Sequence, residues 1–131
     1  MAEQREQPLD PLHDPRHQDL LRRYVDAFER YDVDEIVTLL RDDVVLSMPP
    51  FPVWLTGPHE LAAWFLGPGI GCRGARLVPV EINGTMGFGN YRLAEPGRWE
   101  PFGIQLIEVR DGAIVGHHNF LYPQWFVEFG L

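Results

Sequence analysis

The sequence predicts an α+β fold: one curved, mostly antiparallel sheet shaped into a cone and covered on one face by about three N-terminal helices. Two observations predict it. Residues 14–40 and 57–66 carry apolar side chains in the pattern of helices with one buried face. From residue 75 to 121 the pattern changes to long strands, joined by Asn83-Gly84 and Asp111-Gly112 at hairpin spacing. No helices separate these later strands, so they pair antiparallel, and the helices cover one face of a single sheet.

A chain of 131 residues, 45% of them hydrophobic, buries one proper core and is too short for two ordinary domains. Residues 1–13, polar and proline-spaced, read as a mobile tail; 14–131 form the single domain. Asp14-Pro15 is N-cap plus first helical position, since Pro lacks the N–H that would be orphaned there. Leu20, Leu21, Tyr24, Val25 and Phe28 make the helix's buried stripe. Asp32 and Glu35 repeat the cap logic for a short second helix, with Ile36, Val37, Leu39 and Leu40 facing the core and Asp42-Asp43 closing it. Residues 44–48 (VVLSM) are a short strand stopped by Pro49-Pro50, followed by a proline-rich loop carrying Trp54. Gly57-Pro58 opens a third helix with Leu61, Trp64, Phe65 and Leu66, ending in a glycine-rich turn. Pro79 makes its strand an edge or a bulged strand. The terminal PQWFVEFGL reads as one helical turn.

A net charge of −8 and a pI near 5.0 oppose nucleic acid and anionic membrane as main partners. No apolar run reaches the roughly 18–20 residues that cross a bilayer, and the first ten residues lack a signal-peptide layout, so the expected compartment is the cytoplasm. A lone cysteine, Cys72, excludes an internal disulfide and a cysteine-rich metal site.

Residues 69–74 (GIGCRG) match the glycine spacing of a dinucleotide loop but follow a helix and precede a strand, the wrong context for phosphate capture. They are read as a flexible loop at the mouth of the cone, with glycine supplying positive φ. Pro15 starts the helix between His13 and His17, and His117 and His118 are strand neighbours pointing to opposite faces. The first arrangement argues against a shared metal ion and the second rules one out, so no metal or cofactor is expected.

With a two-residue hairpin at 111–112, Val115, His117 and Asn119 share a face opposite Ile104 and Leu106, while His118 shares the other face with Gln105. A bulge would exchange the faces, so the pattern leaves open which set lines the interior. Tyr24, Met48, Phe51, Trp54, Trp64, Phe88, Tyr91 and Phe102 are further candidates to line a pocket.

Residues 23–50 (RYVDAFERYDVDEIVTLLRDDVVLSMPP), 62–69 (AAWFLGPG), 71–79 (GCRGARLVP) and 111–120 (DGAIVGHHNF) together resemble the SnoaL-like branch of the NTF2-like superfamily, over about residues 18–131. The segments 23–34, 48–50 and 67–79 are especially similar to the C-terminal domain of certain extracytoplasmic-function sigma factors. The resemblance implies a cone whose open end is a deep apolar pocket, and homodimerisation through the outer sheet face as a state open to the chain.

SnoaL-type cyclases often end the last hairpin with D-G-K-I-V-E-H-W-D, the final Asp acting as acid or base. Here His117 stands on that pattern's His and Asn119 on its Asp, so the carboxylate is missing and His117 is its replacement. Met48-Pro49 matches a pair in the fold's epoxide hydrolases, but Val45, Ser47 and Gly103-Ile104-Gln105 lack their polar network. The base of ketosteroid isomerase has no counterpart either, leaving Tyr24 and Tyr91 as phenolic donors.

Two functions follow. One is a cofactor-independent enzyme performing isomerisation, cyclisation or dehydration on an apolar natural-product-like substrate. In it His117 is the acid/base, Asn119 its hydrogen-bond partner, and Tyr24, Met48, Trp54, Tyr91, Gln105 and His118 meet the substrate. The other is a ligand-binding or protein-contact regulatory domain related to sigma-factor tails. The sequence favours the enzyme, because a chain that begins with Met and carries His and Asn on this hairpin needs a purpose outside a sigma factor.

Overall fold

The structure, a computed structural model, describes residues 8–131. In chain order the elements are α1 (Pro15–Arg30), α2 (Val33–Thr38), β1 (Leu40–Met48), β2 (Phe51–Thr56), α3 (Gly57–Leu66), a 3-10 turn (Pro68–Cys72), β3 (Arg76–Ile82), β4 (Thr85–Glu95), β5 (Arg98–Arg110), β6 (Ala113–Phe120) and α4 (Trp125–Glu128). The caps are those the sequence implies. Asp14 accepts from the backbone N–H of Arg16 at 2.8 Å, and Asp32 from that of Glu35 at 3.1 Å.

Six strands form one sheet in the order β2-β1-β6-β5-β4-β3. Every neighbouring pair is antiparallel except β1 with β6. Both expected hairpins form, with Asn83 and Gly84, and Asp111 and Gly112, at positive φ as a tight two-residue turn requires. Pro79 lies in the edge strand β3, where a missing N–H costs no ladder bond.

Two boundaries differ from the sequence reading. Asp42 and Asp43 do not close a helix: they are exposed residues of β1, which starts at Leu40 because α2 ends at Thr38. The expected loop around Trp54 is strand β2, which doubles back on β1 through Pro49-Pro50. Its prolines misled the reading, but β2 is an edge strand, and an edge tolerates Pro52.

Residues 1–7 of the expected tail lie outside the described residues. Residues 10–12, by contrast, are tied to the domain. Asp10 accepts from the N–H groups of Asp111 and Gly112 at 2.9 and 2.8 Å, so it caps the last hairpin. The carbonyl of Leu12 accepts from Gln18, and that of Pro11 lies 3.0 Å from His17 Nδ1.

The core lies between the helices and one face of the sheet. Tyr24, Phe28, Ile36, Leu46, Leu61, Ile107 and Ile114 are all at most 1% exposed. Burying each large apolar side chain contributes about 1.5–3 kcal/mol. On the opposite face, α4 and the chain end cover β4 and β5. Phe126 is buried and packs edge-on to Tyr91 with centroids 5.1 Å apart.

That cover depends on Gly89. A methyl group there would stand 2.8 Å from Leu131 Cδ1 and 3.3 Å from Phe126 Cε2. Gly89→Ala is therefore expected to lift the C-terminal segment and lower stability by about 1–3 kcal/mol in urea unfolding. Unchanged stability would mean that the segment does not seal this face.

Candidate functional site

A bulge decides which residues reach the interior. Along β5 and β6 the pairing runs Arg110 with Ala113 and Val109 with Ile114, then shifts so that Glu108 faces Gly116. Beyond the shift, Ile107 faces His117, Leu106 faces His118 and Gln105 faces Asn119. The faces are thus exchanged relative to an unbulged hairpin. Gln105 joins His117 and Asn119 on the inner face, and His118 is left outside.

The inner set meets Tyr24, which α1 projects from above with no exposed surface. Tyr24 Oη donates to Gln105 Oε1 at 2.5 Å and lies 2.7 Å from His117 Nε2. With that proton given to Gln105, the hydroxyl oxygen accepts from His117 Nε2–H. Nδ1 of the neutral ring is then the acceptor for Asn119 Nδ2, 3.0 Å away. Asn119 Nδ2 is anchored further by the carbonyl of Ser47 at 3.2 Å. Four side chains from three elements therefore form one directed chain of hydrogen bonds.

His117 is 1% exposed, and burial first, then the neighbouring charge of His118, pulls its pKa down to about 3. This corrects the expectation of an imidazole titrating near neutrality. Burial also pushes the Tyr24 phenol well above its ordinary range.

Beside this chain lies a cavity of about 90 Å³. Gln105, His117 and Asn119 form its polar floor, and Phe28, Leu46, Met48 and Phe65 its apolar walls. Trp64, Phe102, Arg92, Cys72 and the 3-10 turn complete it. The glycine-rich segment does border the cavity, but as an ordered turn. Tyr31 Oη lies 2.8 Å from the carbonyls of both Phe65 and Gly69, and of the glycines between 67 and 74 only Gly74 has positive φ. A larger groove of about 520 Å³ runs between α1 and β3–β4, past Val25, Asp26, Glu29 and Met86.

Of the residues expected at the site, Tyr24, Met48, Gln105, His117 and Asn119 come together. Trp54, Tyr91 and His118 do not. Trp54 is 66% exposed on β2, Tyr91 packs under α4, and His118 faces the outer side of the sheet. There His118 Nδ1 lies 2.8 Å from Ser47 Oγ and Nε2 lies 3.1 Å from Glu108 Oε1. The hydrogen bond from His118 lowers the pKa of half-buried Glu108. Gly116 makes room for this pair, since a methyl there would fall within 2.2 Å of the Glu108 carboxylate. Sequence reading did not single out Arg92 or Tyr31. The signal for Arg92 was its alternation with Phe88 and Asn90 along one strand face.

The profile of the SnoaL-like domain matches residues 21–117, and the chain belongs to that family. It is 29% identical over 119 residues to the extracytoplasmic-function RNA polymerase sigma factor SigG of Mycobacterium tuberculosis, covering 89% of this chain and 32% of that protein. The chain thus spans about a third of the length of the curated relatives it matches. The crystal structure of sigma factor SigJ from the same organism superposes with a TM-score of 0.61 at 26% identity, over 86% of this chain and 44% of that one. An NTF-2 like protein from Burkholderia xenovorans LB400 gives 0.68 at 18% identity, over 90% and 95%. The cone-like α+β fold is shared with these structures.

The depressed pKa of His117 has a consequence for stability. Folding holds the ring neutral while the unfolded chain protonates it near pH 6.5, so the unfolded state binds more protons below that pH. The stability that depends on the neutral ring is fully present above about pH 6.5 and is lost as pH falls towards 3. The slope from this one group is up to about 1.4 kcal/mol per pH unit. Denaturant titrations from pH 7 to 4 should show a flatter profile for His117→Gln than for the wild type. Parallel profiles would mean that the ring is not held neutral by burial.

Proposed function

We propose that this SnoaL-like domain is a small-molecule-binding module of regulatory type, which takes an apolar ligand into the cavity between α1, α3 and the sheet. One observation carries the reading: no group of the cavity wall changes charge near neutral pH. His117 is held neutral, burial pushes the Cys72 thiol and the Tyr31 phenol up, and no carboxylate lines the wall. Such a surface recognises shape and hydrogen bonds, and it lacks the poised acid or base that proton transfer uses. The size of the cavity suits a ligand presenting about one ring to the floor.

A second reading is supported by the continuity of the polar floor. The chain from Asn119 through His117 and Tyr24 to Gln105 can pass a proton along if a substrate displaces one of its bonds. The domain would then be a cofactor-independent isomerase, cyclase or dehydratase, with His117 as the proton carrier and Asn119 holding a substrate oxygen.

Incubation with small-molecule extract of the native host, followed by native mass spectrometry, separates the two. The binding reading expects a retained compound recovered chemically unchanged and less of it retained by His117→Gln. A product that is isomeric, or shifted by one water, and that forms only with the wild type would replace binding by catalysis. Retention of no compound would reject both.

The uncovered outer face supports pairing with a second copy of the chain. Trp54 is 66% exposed there, beside a depression that reaches Val45, Val115 and His118. Sedimentation equilibrium should give a dimer for the wild type and a monomer for Trp54→Arg; a monomeric wild type at micromolar concentration rejects the pairing.

A further inference from the structure

Arg92 is the one charged side chain in the wall of the cavity. It lies on β4, and its guanidinium carbon stands 4.6 Å above the centroid of the Phe102 ring. Among the described residues it forms no ion pair. Glu100, opposite it on β5, lies 3.6 Å from Arg98, and Glu95 lies 3.3 Å from the same arginine. A guanidinium stacked on an aromatic face keeps its N–H edge free, and that edge matches a planar carboxylate.

The rest of the wall sharpens this. With His117, Tyr31 and Cys72 neutral and no carboxylate present, nothing inside the cavity balances the charge of Arg92. The net charge of −8 repels anions at long range, so any preference for one has to be local, where the apolar wall strengthens the attraction. We infer that the cavity selects an acidic ligand, an apolar body of about one ring whose carboxylate is held by Arg92 while its far end meets the Gln105–His117–Asn119 floor. The inference rests on the ligand-binding reading above and adds a substrate class to it.

Benzoate and benzamide are suitable probes, since they share shape and differ in charge. Isothermal titration of the full chain should show benzoate binding about tenfold or more tighter than benzamide, the usual gain of a hydrogen bond to a charged group. Arg92→Gln, checked for wild-type circular dichroism, should bring the two to parity with benzamide affinity unchanged, and Arg92→Lys should keep most of the preference. Equal affinities in the wild type, or a preference that survives Arg92→Gln, would overturn the inference while leaving a ligand-binding cavity in place. Binding of neither probe would overturn this inference and count against the cavity as a ligand site.

Discussion

The contact between Tyr24 and His117 fixes how the first helix sits on the sheet. Apolar packing alone lets a helix slide or rotate by small amounts at little cost. A buried hydroxyl with two partners does not, because losing either leaves a polar atom unpaired in the core at about 1–3 kcal/mol. Tyr24 reaches Gln105 on β5 and His117 on β6 at once, so it sets both the height and the rotation of α1. Two turns further on, Tyr31 uses that fixed position to hold the end of α3 and the following turn through the carbonyls of Phe65 and Gly69. The walls and the mouth of the cavity are thus placed by one helix, itself positioned by one phenol.

The two sides of the sheet divide the work of the paired imidazoles. His117 is desolvated and neutral within the core; His118, one residue on, keeps some solvent exposure and a carboxylate partner. Glycine makes the outer side possible. Gly89 and Gly103 let the C-terminal segment lie flat on β4 and β5, where methyl groups would press on Leu131 and Leu121, and Gly116 lets the Glu108–His118 pair cross β6. What the segment leaves uncovered is the part nearest β2, where Trp54 stands out.

Much of this fold could be read before any coordinates. Asp14-Pro15, Asp32, Gly57-Pro58 and the two hairpin turns act through their own backbone neighbours, so local chemistry was enough to locate them. The parallel joining of β1 to β6 and the strand status of β2 depend on residues distant in sequence and were not legible. The site divides the same way. His117 and Asn119 were identified on their hairpin, yet whether Gln105 shares their face was left open, because one unpaired residue at Val115 reverses everything beyond it. Gly116 inside a strand was the only local hint of that bulge. Trp54 and Tyr91 were chosen for side-chain type, and type does not say which face of a sheet a residue occupies.

Asn119 then determines more than its own contacts. Its amide nitrogen gives a proton to His117 Nδ1, which forces the ring's remaining proton onto Nε2 and so towards Tyr24, whose own proton must go to Gln105. Fixing one end fixes the direction of every bond. The ends left over are Asn119 Oδ1, an acceptor, and Gln105 Nε2, a donor, and both side chains line the cavity. The floor therefore presents one acceptor and one donor and no ionised group, where an aspartate at this position would bring a carboxylate. Because function on a shared fold resides in such lining groups, the direction this single amide gives to the hydrogen bonds is what the cavity floor presents.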